Sequence, residues 1–227
     1  MSQKDPGTEP PTRSAVSRLV HDVRVGIATN GTRAWLGRVA DGAAGRVYRR
    51  ARLVVIEQDL GLLTDVPTPV GIRIAPFHEE WQAVDAIVTS NIMREFRRRH
   101  AAGRECLLAW RGDRVVGYTW MSRSCDAVEG LPLALPHDAA YLWDLFVSVS
   151  ERGSGVGSAL TRLRLAWARE AGFARGWRAV SVTNRASLRT AEKTGALRIL
   201  GEIRIERTLG PRRLIEEPAV GVPLLRR

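Results

Sequence analysis

The sequence predicts an α/β fold, and three patterns along the chain indicate it. An apolar run at 141–149 leads through a glycine-rich stretch into a helical pattern of apolar residues. A second apolar run at 179–182 gives way to another helical pattern. Two further runs, 105–110 and 115–122, flank a polar turn and predict a β-hairpin. Strands that alternate with helices indicate a sheet covered by helical layers.

The first seventy residues predict an extension ahead of the main domain. Residues 1–14 are polar and contain three prolines, which predicts a disordered leader without the apolar core of a signal peptide. Apolar residues then recur at helical spacing until glycines weaken the pattern, and residues 52–58 predict a short strand. For residues 15–69 we favour a helical segment packed on the core. A loosely ordered decoration of the core is the structural alternative. A substrate-side subdomain, a basic surface helix and a dimerisation arm, which would make the protein a homodimer, stay open as the role of this segment.

The main domain is predicted to begin after the proline-containing break at 65–69. Residues 70–75 predict its first strand, and the apolar residues from Trp81 to Phe96 recur at helical spacing. The arginine-rich cluster at 94–99 lies at the end of this pattern. We interpret that cluster as a solvated helix face.

Composition and charge narrow the classes of function. The formal net charge is +11, but the 35 basic residues are scattered along the chain, so a nucleic-acid partner is not expected. No apolar run approaches the roughly 18 residues of a membrane span. The two cysteines, Cys106 and Cys125, lack metal-ligand spacing and predict free thiols in a reducing compartment. We therefore expect a cytoplasmic protein with no metal and no transmembrane segment.

The glycine-rich stretch 152–157 is the most informative motif in the chain. It reads Arg-Gly-Ser-Gly-Val-Gly at the point where a strand gives way to a helix. Glycines let a ligand approach the backbone, and the N–H groups of a first helical turn favour an anion, so the stretch predicts a phosphate site. No lysine follows these glycines, which excludes a nucleotide P-loop, and Ser158 replaces the last glycine of a dinucleotide fingerprint. A glycine-rich turn without a ligand is the structural alternative.

The pattern Arg-x-x-Gly-x-Gly resembles the coenzyme A pyrophosphate loop of the GNAT superfamily of N-acyltransferases. The segment from Asn184 through Ser187 to Gly195 resembles the downstream signature of that superfamily, in the same order and spacing. The resemblance covers about residues 70–206 and implies a mixed, mostly antiparallel sheet flanked by helices on both faces. It also implies an acyltransferase domain at 70–210, followed by a C-terminal tail at 211–227.

The resemblance further implies which residues bind acetyl-CoA, the expected co-substrate. Backbone groups at the end of the strand would line the pantetheine arm, and amides of the glycine-rich stretch would hold the pyrophosphate. The thioester would sit in a gap between the strands that carry Val147 and Val182. The expected coenzyme-binding residues are Phe146, Val147, Val149, Arg152, Gly153, Ser154, Gly155, Val156, Gly157, Ser158, Asn184 and Ser187.

Asp144 is the first candidate for the general base that helps an amine acceptor to lose its proton. It is a carboxylate in an otherwise apolar strand, two residues before Phe146 and therefore expected on the same face. A structural ion pair with an arginine is its alternative role, and Tyr141 and His137 are weaker catalytic candidates. Ala191 stands where the superfamily usually has a tyrosine that protonates the leaving thiolate. The resemblance therefore supports coenzyme binding more firmly than turnover.

These expectations together predict an N-acyltransferase that moves an acetyl or longer acyl group from acetyl-CoA to an amine. We expect a small-molecule acceptor because no peptide-docking module is recognisable, and a peptide amine stays open. A catalytically inactive coenzyme A-binding sensor or scaffold is the alternative that Ala191 suggests. A basic nucleic-acid-binding protein is a third class, and its affinity would depend steeply on salt.

Overall fold

The computed structural model describes residues 14–30, 48–65, 67–124, 131–208, 211 and 213–226. The helices within these ranges are α1 (Ala15–Asn30), α2 (Trp81–Asp85), α3 (Ser90–Ala101), α4 (Val156–Glu170) and α5 (Arg185–Lys193). The strands are β1 (Tyr48–Asp59), β2 (Ile72–Pro76), β3 (Glu105–Arg111), β4 (Arg114–Ser122), β5 (Ala139–Val147), β6 (Arg175–Ser181), β7 (Leu197–Thr208) and β8 (Arg213–Pro218).

The strands form one eight-stranded sheet in the order β2-β3-β4-β5-β6-β1-β7-β8. Strands β5 and β6 are parallel, whereas the other neighbouring pairs are antiparallel. The predicted mixed, mostly antiparallel sheet is therefore confirmed. The predicted hairpin is β3–β4, and its turn contains Gly112 with φ +56°, a backbone conformation that favours glycine.

Two strands of this sheet lie outside the range 70–210. Strand β1 belongs to the segment expected as an N-terminal extension, yet it runs between β6 and β7 and buries Val55 and Ile56. Strand β8 belongs to the expected C-terminal tail, yet it pairs with β7 along the edge of the sheet. The sheet thus draws strands from both flanking segments, while the expected leader lies almost wholly outside the described residues.

Helix α1 corresponds to the helical pattern expected in the N-terminal extension. It contacts the start of α3, because the Ser90 amide donates a 2.6 Å hydrogen bond to Asp22 Oδ1. His21 Nε2 also lies 3.2 Å from the Val88 carbonyl oxygen. Among the described residues, no helix has both the length and the apolar character of a membrane span.

Helices cover both faces of the sheet, as predicted. One face packs under α2 and α3 and holds the largest apolar cluster, which includes Phe96 and Trp120. The other face packs under α4, where Leu165 meets Leu142, and under α5. Gly176 permits this approach, because a Cβ atom there would lie 2.7 Å from Leu142 Cδ1 and 3.1 Å from Leu165 Cδ2.

Candidate functional site

The parallel strands β5 and β6 separate near the centre of the sheet. They pair at three positions that end with Tyr141 and Trp177, although β5 continues to Val147 and β6 to Ser181. Beyond the paired positions, β5 bonds to β4 and β6 bonds to β1. The gap expected between these strands is therefore present. Helices α4 and α5 each follow one of the two parallel strands, so both helices begin at the open end of the gap.

A β-bulge shapes the β5 side of the gap. Tyr118 of β4 pairs with Phe146, whereas Trp120 pairs with Trp143, so β5 carries one extra residue between these pairs. Asp144 has φ +47° and lies in this irregular stretch. The bulge turns the Asp144 side chain toward α3, on the face opposite α4.

The glycine-rich stretch forms the turn that leads into α4. Gly153 and Gly155 have φ values of +83° and +91°, which explains why glycine occupies both positions. Gly155 is the N-cap residue, and no side chain among the described residues makes a cap hydrogen bond to the helix. The first four N–H groups of an α-helix have no acceptor within the helix. Those of α4, which include the amides of Val156, Gly157 and Ser158, are therefore donors for an anion at the mouth of the gap.

An ion pair anchors this turn to the sheet. Arg111 of β3 binds Glu151 through two hydrogen bonds of 2.7 Å each, and the hydrogen bonds from Arg111 hold the pKa of Glu151 below its ordinary value. Ser154 Oγ donates to the Glu151 carbonyl oxygen at 2.6 Å. Arg152 Nε donates to the Val147 carbonyl oxygen at 3.2 Å. Ser154 and Arg152 therefore make contacts that stabilise the turn itself, and Arg152 is exposed at its surface.

The second predicted signature lies at the start of α5. Asn184 Oδ1 accepts a 3.1 Å hydrogen bond from the Ser187 amide, so both residues build the helix N-cap. Gly195 follows the helix with φ +91°, as its predicted role at a helix end requires. Ala191 is fully buried against Val54 and Val180.

The remaining coenzyme-binding candidates lie at the end of β5 and in the turn that follows it. Phe146 is half-buried and stacks on Tyr118, with ring centroids 5.2 Å apart. Val147 packs on the α4 face, and a Cβ atom on Gly157 would lie 3.6 Å from its Cγ2. Val149 lies in the short 3₁₀ turn Val149–Glu151 and is 39% exposed.

Asp144 makes the arginine contact that was its alternative role. Arg99 Nη1 of α3 donates a hydrogen bond to Asp144 Oδ2, and Arg99 Nε donates to Glu95 at 3.0 Å. The Arg99 guanidinium also lies 4.0 Å from the ring centroid of Trp143. The interpretation of 94–99 as a solvated face is therefore wrong for Arg99, which is buried. The side chain of Asp144 remains 27% exposed.

Tyr141 lies at the closed end of the gap, where β5 and β6 are still paired. It is 1% exposed and stacks on Trp143 at a centroid distance of 6.4 Å. Tyr141 and Asp144 are therefore separated along β5, with Tyr141 among the core aromatic residues and Asp144 nearer the open end.

Two buried arginines lie on the α4 side of the gap, and sequence reasoning missed both. Arg164 of α4 is 2% exposed, and its Nη1 donates to the Trp143 carbonyl oxygen at 2.9 Å. Arg178 of β6 is 3% exposed. Burial lowers the pKa of both groups, to about 10 for Arg178. The sequence contained an indication that both arginines are buried. Arg164 continues the helical spacing of the apolar residues Val156 and Leu160, and Arg178 interrupts an apolar strand.

Comparison with protein families identifies this arrangement. The sequence profile described as "Acetyltransferase (GNAT) family" matches residues 71–196, which is more than half of the chain. A search of proteins with curated descriptions found no match.

Solved structures resemble this chain at low sequence identity. A GCN5-related glucosamine N-acetyltransferase region of a fungal multi-domain GH3 β-N-acetylglucosaminidase is 11% identical with a TM-score of 0.51, covering 75% of this chain and 22% of that one. A GCN5-related N-acetyltransferase from Sphaerobacter thermophilus is 14% identical with a TM-score of 0.47, covering 80% of this chain and 57% of that one. The chain thus spans about a fifth and somewhat over half of these two proteins. By the match of the family profile, the chain belongs to the acetyltransferase (GNAT) family.

Proposed function

We propose that this protein transfers an acyl group, acetyl in the simplest case, from coenzyme A to an amine. One observation carries the proposal: the uncapped start of α4 lies at the open end of the gap between β5 and β6. A phosphate-bearing cofactor bound at the helix start would extend its acyl-bearing arm into the gap. This is the arrangement that acyl transfer requires, because the reacting groups must be held together away from bulk water.

The residues present fit coenzyme A. The amides from Gly155 to Ser158 would hold the pyrophosphate, since they combine a positive helix end with glycines that admit close approach. The edge of β5 that faces the gap would accompany the pantetheine arm through backbone groups near Phe146 and Val147. The coenzyme supplies an acyl group that is already activated as a thioester. The protein must therefore bind and orient the coenzyme and the amine, and it must remove a proton from the amine.

Asp144 is our candidate for the group that accepts the proton of the amine, directly or through a water molecule. Its carboxylate lies on the α3 side of the bulge and is partly exposed. Arg99 contacts Asp144 and is held by Glu95 and Trp143, so Arg99 is a positioning residue. Tyr141 remains a second candidate at the closed end of the gap.

The acceptor that we propose is a small-molecule amine, reached from the α2 and α3 face while the coenzyme occupies the α4 face. A cytoplasmic location and a homodimer are further parts of the proposal, and they rest on the sequence arguments alone. A coenzyme-binding sensor is the second candidate function. The observation that favours it is Ala191, which is buried and offers no hydroxyl to the leaving group.

Calorimetric titration of the full chain with acetyl-CoA tests the proposal. We expect binding by the wild type and loss of binding in Gly155→Glu, whose carboxylate would occupy the proposed phosphate site. A folded wild type that does not bind acetyl-CoA would refute the coenzyme site. Amine-dependent release of the coenzyme thiol then separates the two candidates, because a sensor binds without releasing thiol.

A further inference from the structure

Arg178 is a buried cation next to the closed end of the gap. It is the first residue of β6 beyond the Tyr141–Trp177 pair, and it lies opposite Ile56 of β1. Gly176 and Val180, two positions before and after it, face α4 and α5. Because side chains alternate along a strand, Arg178 faces the same two helices.

The guanidinium of Arg178 has two nitrogens without a partner in the part of the chain that the structure describes. Nε and Nη2 are both buried and make no hydrogen bond there. The N–H groups of these two atoms lie along one edge of the guanidinium, and that edge can bind both oxygens of a carboxylate at once. The unfilled edge of Arg178 therefore has the geometry of a carboxylate receptor.

The charges around Arg178 make the isolated cation more costly. Burial first, and then the nearby charge of Arg178, lower the pKa of Arg164, and Arg164 Nε also lacks a partner among the described residues. The neighbouring acid of β1, Glu57, lies opposite Trp177 and bonds to that indole and to Arg198, on the other face of the sheet. A buried charge is destabilising unless an opposite charge or hydrogen-bond acceptors accompany it. Arg178 consequently fits an anion supplied by a ligand.

We propose that Arg178 binds a carboxylate at the distal end of the acyl group, so that the donor is a coenzyme A thioester of a dicarboxylic acid. This inference rests on the proposed function and replaces acetyl with a charged acyl group. The donor is the better source of the carboxylate because Arg178 faces α4, whose uncapped start is the proposed pyrophosphate site. The acceptor would lie on the opposite face, near Asp144 and Arg99.

The transfer keeps the distal carboxylate unchanged. The amine nitrogen forms a bond to the thioester carbonyl carbon, and the carbon–sulfur bond breaks. One proton leaves the amine nitrogen and one proton is taken up by the coenzyme sulfur, so the products are an amide with a free carboxylate and the coenzyme thiol. Arg178 contributes by holding the acyl group and by selecting it from neutral acyl groups.

The test compares the binding of two donors with four-carbon acyl groups by calorimetry on the full chain. Succinyl-CoA carries the distal carboxylate, and butyryl-CoA is its neutral counterpart. We expect the wild type to bind succinyl-CoA at least about tenfold more tightly, because hydrogen bonds to a charged group are among the stronger ones. In Arg178→Met we expect this preference to disappear while acetyl-CoA still binds.

Arg189→Met is the matched control, because Arg189 is an exposed arginine of α5 and its loss changes the net charge equally. The control should keep the preference for succinyl-CoA. Equal wild-type affinity for the two donors would overturn the proposal, and so would a preference that survives in Arg178→Met. Failure of every coenzyme A thioester to bind would instead refute the proposed function itself.

A second arm separates the donor from the acceptor as the source of the carboxylate. Glutamate, which carries an amine and two carboxylates, is titrated into the wild type and into Arg178→Met, each saturated with acetyl-CoA. We expect no binding of glutamate that depends on Arg178. Arg178-dependent binding of glutamate would overturn the assignment to the donor and place the carboxylate on the acceptor.

Discussion

Gly155→Ala is the sharpest test of the turn before α4. Alanine in the left-handed region costs about 1–2 kcal/mol, and the reduced freedom of the unfolded chain offsets about 0.4–1 kcal/mol of this. The new Cβ atom would also lie 3.2 Å from Pro69 Cγ, so the proline ring must shift by a few tenths of an ångström. We therefore expect the free energy of unfolding to fall by about 1 kcal/mol or more.

The turn can relieve this strain by moving, and movement would misalign the amides at the start of α4. Loss of one hydrogen bond to a phosphate is expected to weaken coenzyme binding by about tenfold or more. Urea denaturation measures the stability, and calorimetric titration with acetyl-CoA measures the affinity.

Gly172→Ala is the matched control for Gly155→Ala. Gly172 follows the far end of α4 with φ +90°, and apart from its chain neighbours no atom of the described residues lies within 4 Å of a Cβ atom placed there. Alanine at residue 172 meets the same cost of a left-handed backbone away from the coenzyme site, so we expect a similar loss of stability and unchanged affinity. Wild-type affinity in a destabilised Gly155→Ala protein would refute the reasoning, because it would separate the geometry of the turn from coenzyme binding.

Three further changes test other parts of the site. In Glu151→Gln, the urea midpoint should fall less on acidification than in the wild type. The reason is that Arg111 holds the pKa of Glu151 below 4.5, so the wild type loses this contribution as the pH falls through the folded-state pKa; equal acid sensitivity would contradict this. Asp144→Asn should lower turnover, measured as thiol release, by about 100-fold or more while coenzyme affinity is retained. Asparagine tolerates the positive φ of this position, so unchanged turnover would exclude Asp144 as the base. Arg178→Met should raise the free energy of unfolding of the unliganded protein, measured by urea denaturation, by about 1 kcal/mol. A lower free energy of unfolding in the variant would show that the charge of Arg178 is already compensated.

The sequence was sufficient to predict those features that depend on residues close together along the chain. The hairpin β3–β4 follows from two apolar runs around a glycine turn, and both helix starts follow from Gly155 and Asn184. The conformation of the glycine-rich turn was predictable for the same reason, because glycine at a positive φ and a helix start capped by glycine are local properties. The gap could be expected through the family resemblance.

The sequence was not sufficient to predict the features that join segments distant along the chain. Residues 52–58 form a local strand pattern, but only pairing with β6 and β7 makes the observed strand β1 part of the sheet interior. Likewise, Arg111 and Glu151 anchor the glycine-rich turn across 40 positions of sequence. Periodicity indicates which residues are buried, but it does not indicate which strands become neighbours.

The contrast is clearest for the charged residues. The sequence by itself determined the strand–glycine–helix unit, since its backbone conformations are decided within a few residues of Gly155. Only the tertiary structure decided that Arg99 reaches Asp144 across one face of the sheet, and that Arg178 lies buried on the other. A charged side chain has the same local pattern whether it faces water or a partner. Its chemistry depends on the burial and the counter-charges that the assembled sheet and helices bring to it.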